Sequence, residues 1–188
     1  MNTENTGRIS KGALFFILPL LLFIGACGGS SEEPTTAGTQ DWDGGYADAE
    51  RRINTLKASL YEDPKNEDML SALGDAYFEA QRYLDAIKEY DKVVEINPQN
   101  ADCLNDRALA LFYTGQHDAA LDSVEKAIAV DAVYNHAWLT KGFILMSLKR
   151  YDEAQPVLEK VQELDPLGSL GAEAENFLNQ IKVVKGEV

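Results

Sequence analysis

The sequence predicts an all-α fold, an α-solenoid of three helix–turn–helix units at residues 67–100, 101–134 and 135–168. Three observations support this prediction. The chain repeats itself with a period of 34 residues, without gaps, across these ranges. Within each period, apolar residues recur at the spacing of an amphipathic helix. A short polar turn divides each period into two such helices, and Pro98 and Pro166 close the first and third periods.

Single helices are expected at both ends of the repeats. The helix at 46–62 has its apolar residues on one face and ends at Asp63-Pro64. A similar helix at 169–182 follows the last unit. A solenoid needs a terminal helix that covers its last apolar face and turns a polar face to water. We therefore expect eight helices in a domain spanning 46–183, with a half-repeat helix at its start and a capping helix at its end.

Residues that lie one period apart form columns of similar side chains. Several columns hold mainly large apolar residues, as expected for buried helix faces. Two columns hold only small residues, which let the two antiparallel helices of a unit approach closely. These small columns are Gly74, Ala108 and Gly142, and Ala86, Ala120 and Ala154.

Three features depart from the repeat. Ala132 stands where the other units have their closing proline, so we expect a less sharp boundary there. Pro156 lies near the start of a helix, where backbone N–H groups have no partner, and we expect it to be tolerated. Arg107 and Lys141 occupy the column of Leu73, and we expect their aliphatic stems to lie on the neighbouring helix.

The repeated residues follow a known pattern. They are Leu70, Leu73, Gly74, Tyr77, Ala86, Tyr90, Val93 and Pro98 in the first unit, Leu104, Ala108, Leu111, Ala120, Val124 and Ala127 in the second, and Trp138, Gly142, Leu145, Ala154, Leu158, Val161 and Pro166 in the third. This pattern resembles the tetratricopeptide repeat (TPR), a 34-residue helix–turn–helix unit. The resemblance covers residues 67–168 and implies a right-handed solenoid. It also implies that the first helix of each unit lines a concave groove that binds another protein.

Residues 1–26 have the layout of a secretory signal peptide. Arg8 and Lys11 precede an unbroken run of 12 apolar residues, which is shorter than the roughly 20 that a permanent membrane-spanning helix needs. The following Ile24-Gly25-Ala26-Cys27 resembles a bacterial lipobox. This resemblance implies that residues 1–26 are removed and that Cys27 is acylated, for example with palmitate. The alternative is an uncleaved membrane anchor with an incidental cysteine.

Residues 27–45 join the lipidation site to the helical domain. They are rich in Gly, Ser, Thr and acidic residues, which is typical of a flexible linker. We expect the protein to be lipid-anchored on the extracytoplasmic side of a bacterial membrane. Gly28 replaces the Asp that often signals inner-membrane retention in lipoproteins. In a Gram-negative host this favours the periplasmic face of the outer membrane.

The composition excludes several kinds of site. The 31 acidic and 17 basic residues give a net charge of −14, which is unsuited to a nucleic-acid backbone. Two cysteines, one of them at the lipidation site, cannot form a disulfide framework. The cysteines and the two histidines do not have the spacing of metal ligands, and no Gly-rich phosphate loop is present. We therefore expect no metal site, no cofactor and no enzymatic activity.

The face of each first helix that is not used for helix pairing supplies the candidate binding residues. This face is acidic in the first unit and mainly aromatic or aliphatic in the others, which favours a partner with a basic and apolar segment. Some TPR proteins hold a carboxylate with Lys, Arg and Asn, but this groove has hardly any cation. The aromatic residues have an alternative role, as packing between adjacent units. The groove residues are Asp68, Asp75, Phe78, Glu79, Asn105, Leu109, Phe112, Tyr113, His136, Leu139, Phe143 and Met146.

The sequence thus predicts a membrane-anchored adaptor for protein–protein interaction. The resemblance suggests the assembly of an envelope complex, such as a pilus, a secretion pore or outer-membrane machinery. The alternative is a regulatory scaffold that recruits a peptidoglycan enzyme. An enzyme is less favoured, because His117 shares its column with Tyr83 and Tyr151 and Cys103 has the setting of a small buried residue.

Overall fold

The computed structural model describes residues 42–187, and its regular elements are eight α-helices, which confirms the predicted fold class. The predictions for the signal peptide, for Cys27 and for most of the linker lie outside these residues. None of the described helices is both long and apolar enough to span a bilayer. The helices are α1 Trp42–Glu62, α2 Glu67–Glu79, α3 Tyr83–Ile96, α4 Ala101–Tyr113, α5 His117–Val130, α6 Asn135–Ser147, α7 Tyr151–Leu164 and α8 Ser169–Lys185.

The turn inside each unit has the same backbone conformation in all three units. Its left-handed residue is Gln81 with φ 57°, Gly115 with φ 77° and Lys149 with φ 58°, each 34 residues from the next. Only the second unit places glycine there, although glycine adopts this conformation most easily. The turns are therefore equivalent in structure even where the residues differ.

The expectation of a less sharp boundary at Ala132 is wrong. α5 ends at Val130, one period after the last residue of α3, Ile96. In every unit, the first residue after the second helix donates its backbone N–H to the carbonyl four residues earlier. The helix end is thus fixed by its own hydrogen bonds, and the closing proline is not needed to define it.

Pro156 is tolerated inside α7, but not for the predicted reason. The backbone N–H of Ala154 already donates to the Arg150 carbonyl, so Pro156 lies beyond the unpaired first turn. An N–H at Pro156 would have faced the carbonyl of Asp152, whose side chain is exposed. Because this part of the helix is at the surface, water can reach the carbonyl that the proline leaves without its usual donor.

The helices form a curved array. The first helices contact each other in sequence, α2 with α4, α4 with α6 and α6 with α8. In the described chain, the second helices α3, α5 and α7 make no contact of this kind with one another. The first helices therefore lie on the inner side of the curve, and α2, α4 and α6 form its concave face.

The small columns permit the close packing inside each unit. A Cβ on Gly74 would overlap the ring of Tyr90, and one on Gly142 would lie 2.5 Å from Leu158 Cδ2. The column of Ala86, Ala120 and Ala154 is fully buried.

Polar side chains join adjacent units near the outer surface. Arg107 Nε lies 2.6 Å from Asp91 Oδ1 of the preceding unit, and Lys141 Nζ lies 2.8 Å from Glu125 Oε1. Both pairs have the same spacing of 16 residues. The column in which Arg107 and Lys141 replace Leu73 is thus a position where an ion pair between units is repeated.

Candidate binding groove

Two of the three helices of the concave face, α2 and α4, have side-chain N-caps, whereas α6 has none. Asn66 Oδ1 accepts a hydrogen bond of 3.0 Å from the Met69 N–H, and Asn100 Oδ1 accepts one of 2.9 Å from the Cys103 N–H. These caps fix the first turns of α2 and α4. Each asparagine also donates a hydrogen bond from its Nδ2, Asn66 to Asp63 and Asn100 to Glu67. The side chains that follow on α2 and α4 therefore project from well-defined positions.

One part of the groove is an acidic cluster, which we define as Asp75, Asp102, Asn105 and Asp106. The Tyr90 hydroxyl donates a hydrogen bond of 2.9 Å to Asp75 Oδ1. Burial, followed by the charge of Asp75, raises the pKa of Asp106 to about 8. Burial and a hydrogen bond with Asp102 raise the pKa of Tyr134 well above its ordinary value. Negative groups from α2 and α4 therefore act on one another across the groove.

Asn105 lies inside this cluster and is 5% exposed. Its Nδ2 donates a hydrogen bond of 3.3 Å to Asp106 Oδ1. Its Oδ1 is buried and has no hydrogen-bond partner among the described residues. A buried amide oxygen without a donor is costly, which makes it a candidate contact for a ligand.

Asp106 was missed by the sequence analysis, whereas Asn105 was predicted. Asp102 and Asp106 are four residues apart and so share a helix face, where like charges repel. That spacing was the available signal.

A second part of the groove is an aromatic ridge, which we define as Phe78, Tyr83, Phe112, Tyr113 and Phe143. Tyr83 and Tyr113 are stacked with ring centroids 4.9 Å apart. Phe112 meets Phe143 of the next unit edge to face at 5.2 Å. The three phenylalanines and Met146 also pack on the core. The alternative role of the aromatic residues, packing between units, is therefore present, although Tyr113 remains 45% exposed.

The sequence predicts a groove that is acidic in the first unit and mainly aromatic or aliphatic in the others. The structure arranges these groups differently. The aromatic ridge includes Phe78 of the first unit, and the acidic cluster includes Asp102 and Asp106 of the second. Acidic and aromatic groups are thus separated mainly along the length of the helices rather than from one unit to the next. Asp102 and Asp106 lie in the first half of α4, and Phe112 and Tyr113 lie at its end.

Several predicted groove residues lie elsewhere. Leu109 and Leu139 are 6% and 2% exposed and have apolar side chains, so they belong to the core. Glu79 forms an ion pair with Arg52 of α1, which places its charge at the edge of the domain. Asp68 is exposed at the start of α2. His136 is partly buried, and its ring lies 5.5 Å from that of Tyr134.

The nucleophilic and metal-binding residue types have structural contacts in the described chain. Burial raises the pKa of the Cys103 thiol, whose Sγ lies 3.6 Å from the Tyr90 carbonyl oxygen, so the thiol stays protonated. The His117 ring packs 5.4 Å from Phe112. Within residues 42–187, no group of three His, Cys, Asp or Glu side chains is close enough to hold a metal ion.

Comparison with known proteins agrees with this architecture. Family models described as TPR repeat and tetratricopeptide repeat match residues 74–115 and 105–169. The crystal structure of MamA superposes with a TM-score of 0.68 at 26% identity, covering 81% of this chain and 87% of that one. The first TPR of Spaghetti (RPAP3), solved bound to the HSP90 peptide SRMEEVD, has a TM-score of 0.60 at 27% identity, covering 66% of this chain and 96% of that one.

Curated relatives match over the same region. The small glutamine-rich tetratricopeptide repeat-containing protein 2 of Mycosarcoma maydis is 35% identical over 105 residues, 56% of this chain and 30% of that protein. Hsp70-Hsp90 organizing protein 2 of Arabidopsis thaliana is 29% identical over 63% of this chain and 21% of its own length. The chain thus spans less than a third of either relative. These matches and the eight-helix array together identify the described domain as one built from tetratricopeptide repeats.

Proposed function

We propose that this protein is a membrane-anchored adaptor that binds a segment of another protein on the concave face of α2, α4 and α6. The observation that carries the proposal is the groove itself, in which the concave helix α4 carries both the exposed Tyr113 and the buried acceptor Asn105 Oδ1. Concave surfaces with apolar area and a few polar groups are suited to peptide recognition. The RPAP3 structure, of the same fold, was solved with a bound peptide.

The peptide type in that structure does not suit this groove. The sequence SRMEEVD contains three acidic residues and one arginine. The acidic cluster would repel such a peptide, since like charges across an interface oppose binding. We therefore do not extend the partners named for the co-chaperone relatives to this protein.

The anchor is part of the proposal and rests on the sequence of residues 1–27. Acyl chains on Cys27 would hold the domain at an extracytoplasmic membrane surface, and the linker would give it reach. Tethering would raise the effective concentration of the groove for membrane-associated partners. We propose a role in assembling an envelope complex, with recruitment of a peptidoglycan enzyme as the second candidate.

Site-specific photo-crosslinking in the native host tests the groove. A photoreactive phenylalanine analogue replaces Tyr113 in the groove or, as a matched control, Lys126 on α5, where the side chain is 60% exposed. We expect a defined crosslinked protein from position 113 and not from position 126. Equal crosslinking from both positions, or none from position 113, would overturn groove binding.

A separate experiment tests the anchor. The Cys27→Ser variant is expressed in a bacterium that is fed radioactive fatty acid. We expect the label on the parent protein and its loss from the variant. Persistent labelling would show that Cys27 is not the acylated residue.

A further inference from the structure

We propose that the acidic cluster binds the cationic side chain of a Lys or Arg in the partner segment. This inference rests on the proposed peptide-binding function and specifies the chemistry of its partner. The cluster combines carboxylates from two helices with the buried, unpartnered Asn105 Oδ1. Ammonium and guanidinium groups carry several N–H donors and no acceptor, so they suit carboxylates and an amide oxygen that can only accept hydrogen bonds.

The cations nearest along α4 and α6 are held away from the cluster. Arg107 follows Asp106 directly, but its Nε lies 2.6 Å from Asp91 and its Nη1 lies 3.3 Å from Ser123 Oγ. Lys141 of α6 is paired with Glu125 at 2.8 Å. These three contacts join first helices to second helices, since Asp91 and Glu125 belong to the preceding unit and Ser123 to the same unit. Neither base is available to neutralise Asp106 without breaking these contacts.

The raised pKa of Asp106 is what is expected of a buried carboxyl group that has no positive charge beside it. Burial and the charges of Asp75 and Asp102 favour its protonated form, while the Asn105 amide provides only partial compensation. A cation from the partner would replace that proton, as an opposite charge at short range favours the carboxylate. A metal ion is not the expected occupant, because the carboxylates of the described chain do not converge closely enough.

The surroundings define the rest of the segment. The aromatic ridge includes Phe78 of α2 and Phe112 and Tyr113 of α4, and these two helices also carry the acidic cluster. Exposed Tyr113 offers an apolar contact seven residues after Asp106 on α4, about 10 Å farther along the helix axis. The fitting partner is therefore a segment in which Lys or Arg and an apolar residue are about three positions apart when the segment is extended.

The test uses the full chain, purified in detergent, and a positional-scanning library of short peptides. We expect enrichment of peptides in which Lys or Arg lies about three positions from an apolar residue. The Asp75→Asn/Asp106→Asn variant should lose this preference, with affinity for the best peptide reduced by about tenfold or more. The control Glu95→Gln/Glu175→Gln changes the same number of charges at exposed positions and should bind as the parent does.

A second measurement separates the two proposals. N-acetylarginine amide is titrated while carbon-detected NMR follows the Asp106 carboxyl carbon, with N-acetylglutamate amide as the control. If the arginine compound shifts this resonance but no peptide is enriched, the cation site stands and the peptide function fails. If peptides are enriched without any preference for Lys or Arg, or if the preference survives in the Asp75→Asn/Asp106→Asn variant, the cation site is overturned. If neither probe acts, both proposals fail.

Discussion

The ring of Tyr90 occupies the space that a methyl group on Gly74 would need. Gly74 belongs to α2 and Tyr90 to α3, so this contact sets the distance between the two helices of the first unit. The Tyr90 hydroxyl also donates to Asp75, which ties the same close approach to the acidic cluster.

Gly74→Ala is therefore expected to destabilise the domain, although alanine favours helix. Because Tyr90 is 1% exposed and cannot move aside, overpacking should lower the free energy of unfolding by about 1–3 kcal/mol. Urea denaturation measures the change. Gly45→Ala in α1 is the matched control, since a Cβ there meets nothing within 4 Å. That control should be neutral or slightly stabilising, and equal effects at both positions would contradict the packing explanation.

The pH dependence of stability should carry the signature of Asp106. Its pKa is about 8 in the folded chain, against an ordinary value of 3.8, so the folded state holds its proton more tightly. The unfolding free energy should therefore fall as pH rises from about 4 to 8. Asp75, Asp102, Tyr90 and Tyr134 act on the same region, so the contribution of Asp106 must be isolated by substitution.

The Asp106→Asn substitution isolates the contribution of Asp106 to the pH dependence of stability. At pH 7 the variant should be more stable than the parent by more than about 1 kcal/mol, because one pKa unit corresponds to about 1.4 kcal/mol. At pH 4 the difference should be close to zero. Urea titrations of both proteins at several pH values provide the test, and a constant difference across the range would count against a raised pKa.

The ion pair between Arg107 and Asp91 should couple adjacent units. A double-mutant cycle with Arg107→Met and Asp91→Asn is expected to give a coupling energy of about 0.5–1 kcal/mol, since the arginine side chain is only 24% exposed. The same cycle for Lys126 and Asp122, a pair inside α5 that is about 60% exposed on both sides, should give about 0.3–0.5 kcal/mol. Equal coupling in high salt and low salt would contradict an electrostatic origin.

The aromatic ridge should divide into structural and binding residues. Phe143→Ala should lower the free energy of unfolding by about 2–3 kcal/mol, because its ring contacts Phe112 and packs on the core. Tyr113→Ala should cost less, since that side chain is 45% exposed. Thermal unfolding followed by circular dichroism ranks the two variants. The reverse order would show that Tyr113 is the structural residue.

The repeat made most of the fold predictable. A 34-residue period fixes which residues face each other, so the unit boundaries and the small columns could be predicted without knowledge of any contact. The ends were less well predicted, with α1 beginning at Trp42 rather than Tyr46 and α8 reaching Lys185 rather than Lys182. These ends lack a preceding or following period to define them.

The groove was harder to predict, because its properties arise between units. Leu109 and Leu139 lie in groove columns but are buried by neighbouring helices. Asp106 acquires its raised pKa from burial and from Asp75, a residue 31 positions earlier on another helix. Such effects depend on three-dimensional distance and burial, which a column of residue types does not record.

The contacts between helices reach no farther than the next-but-one helix in the described chain. Stability in such an array is nearly a sum of local terms, so damage to the middle unit would uncouple the two ends, while damage at α1 would only fray one of them. The same locality gives the architecture a modular length. A further 34-residue unit inserted between Tyr134 and Asn135 would contact a neighbouring unit on each side, as the existing units do. It would add one helix to the concave face.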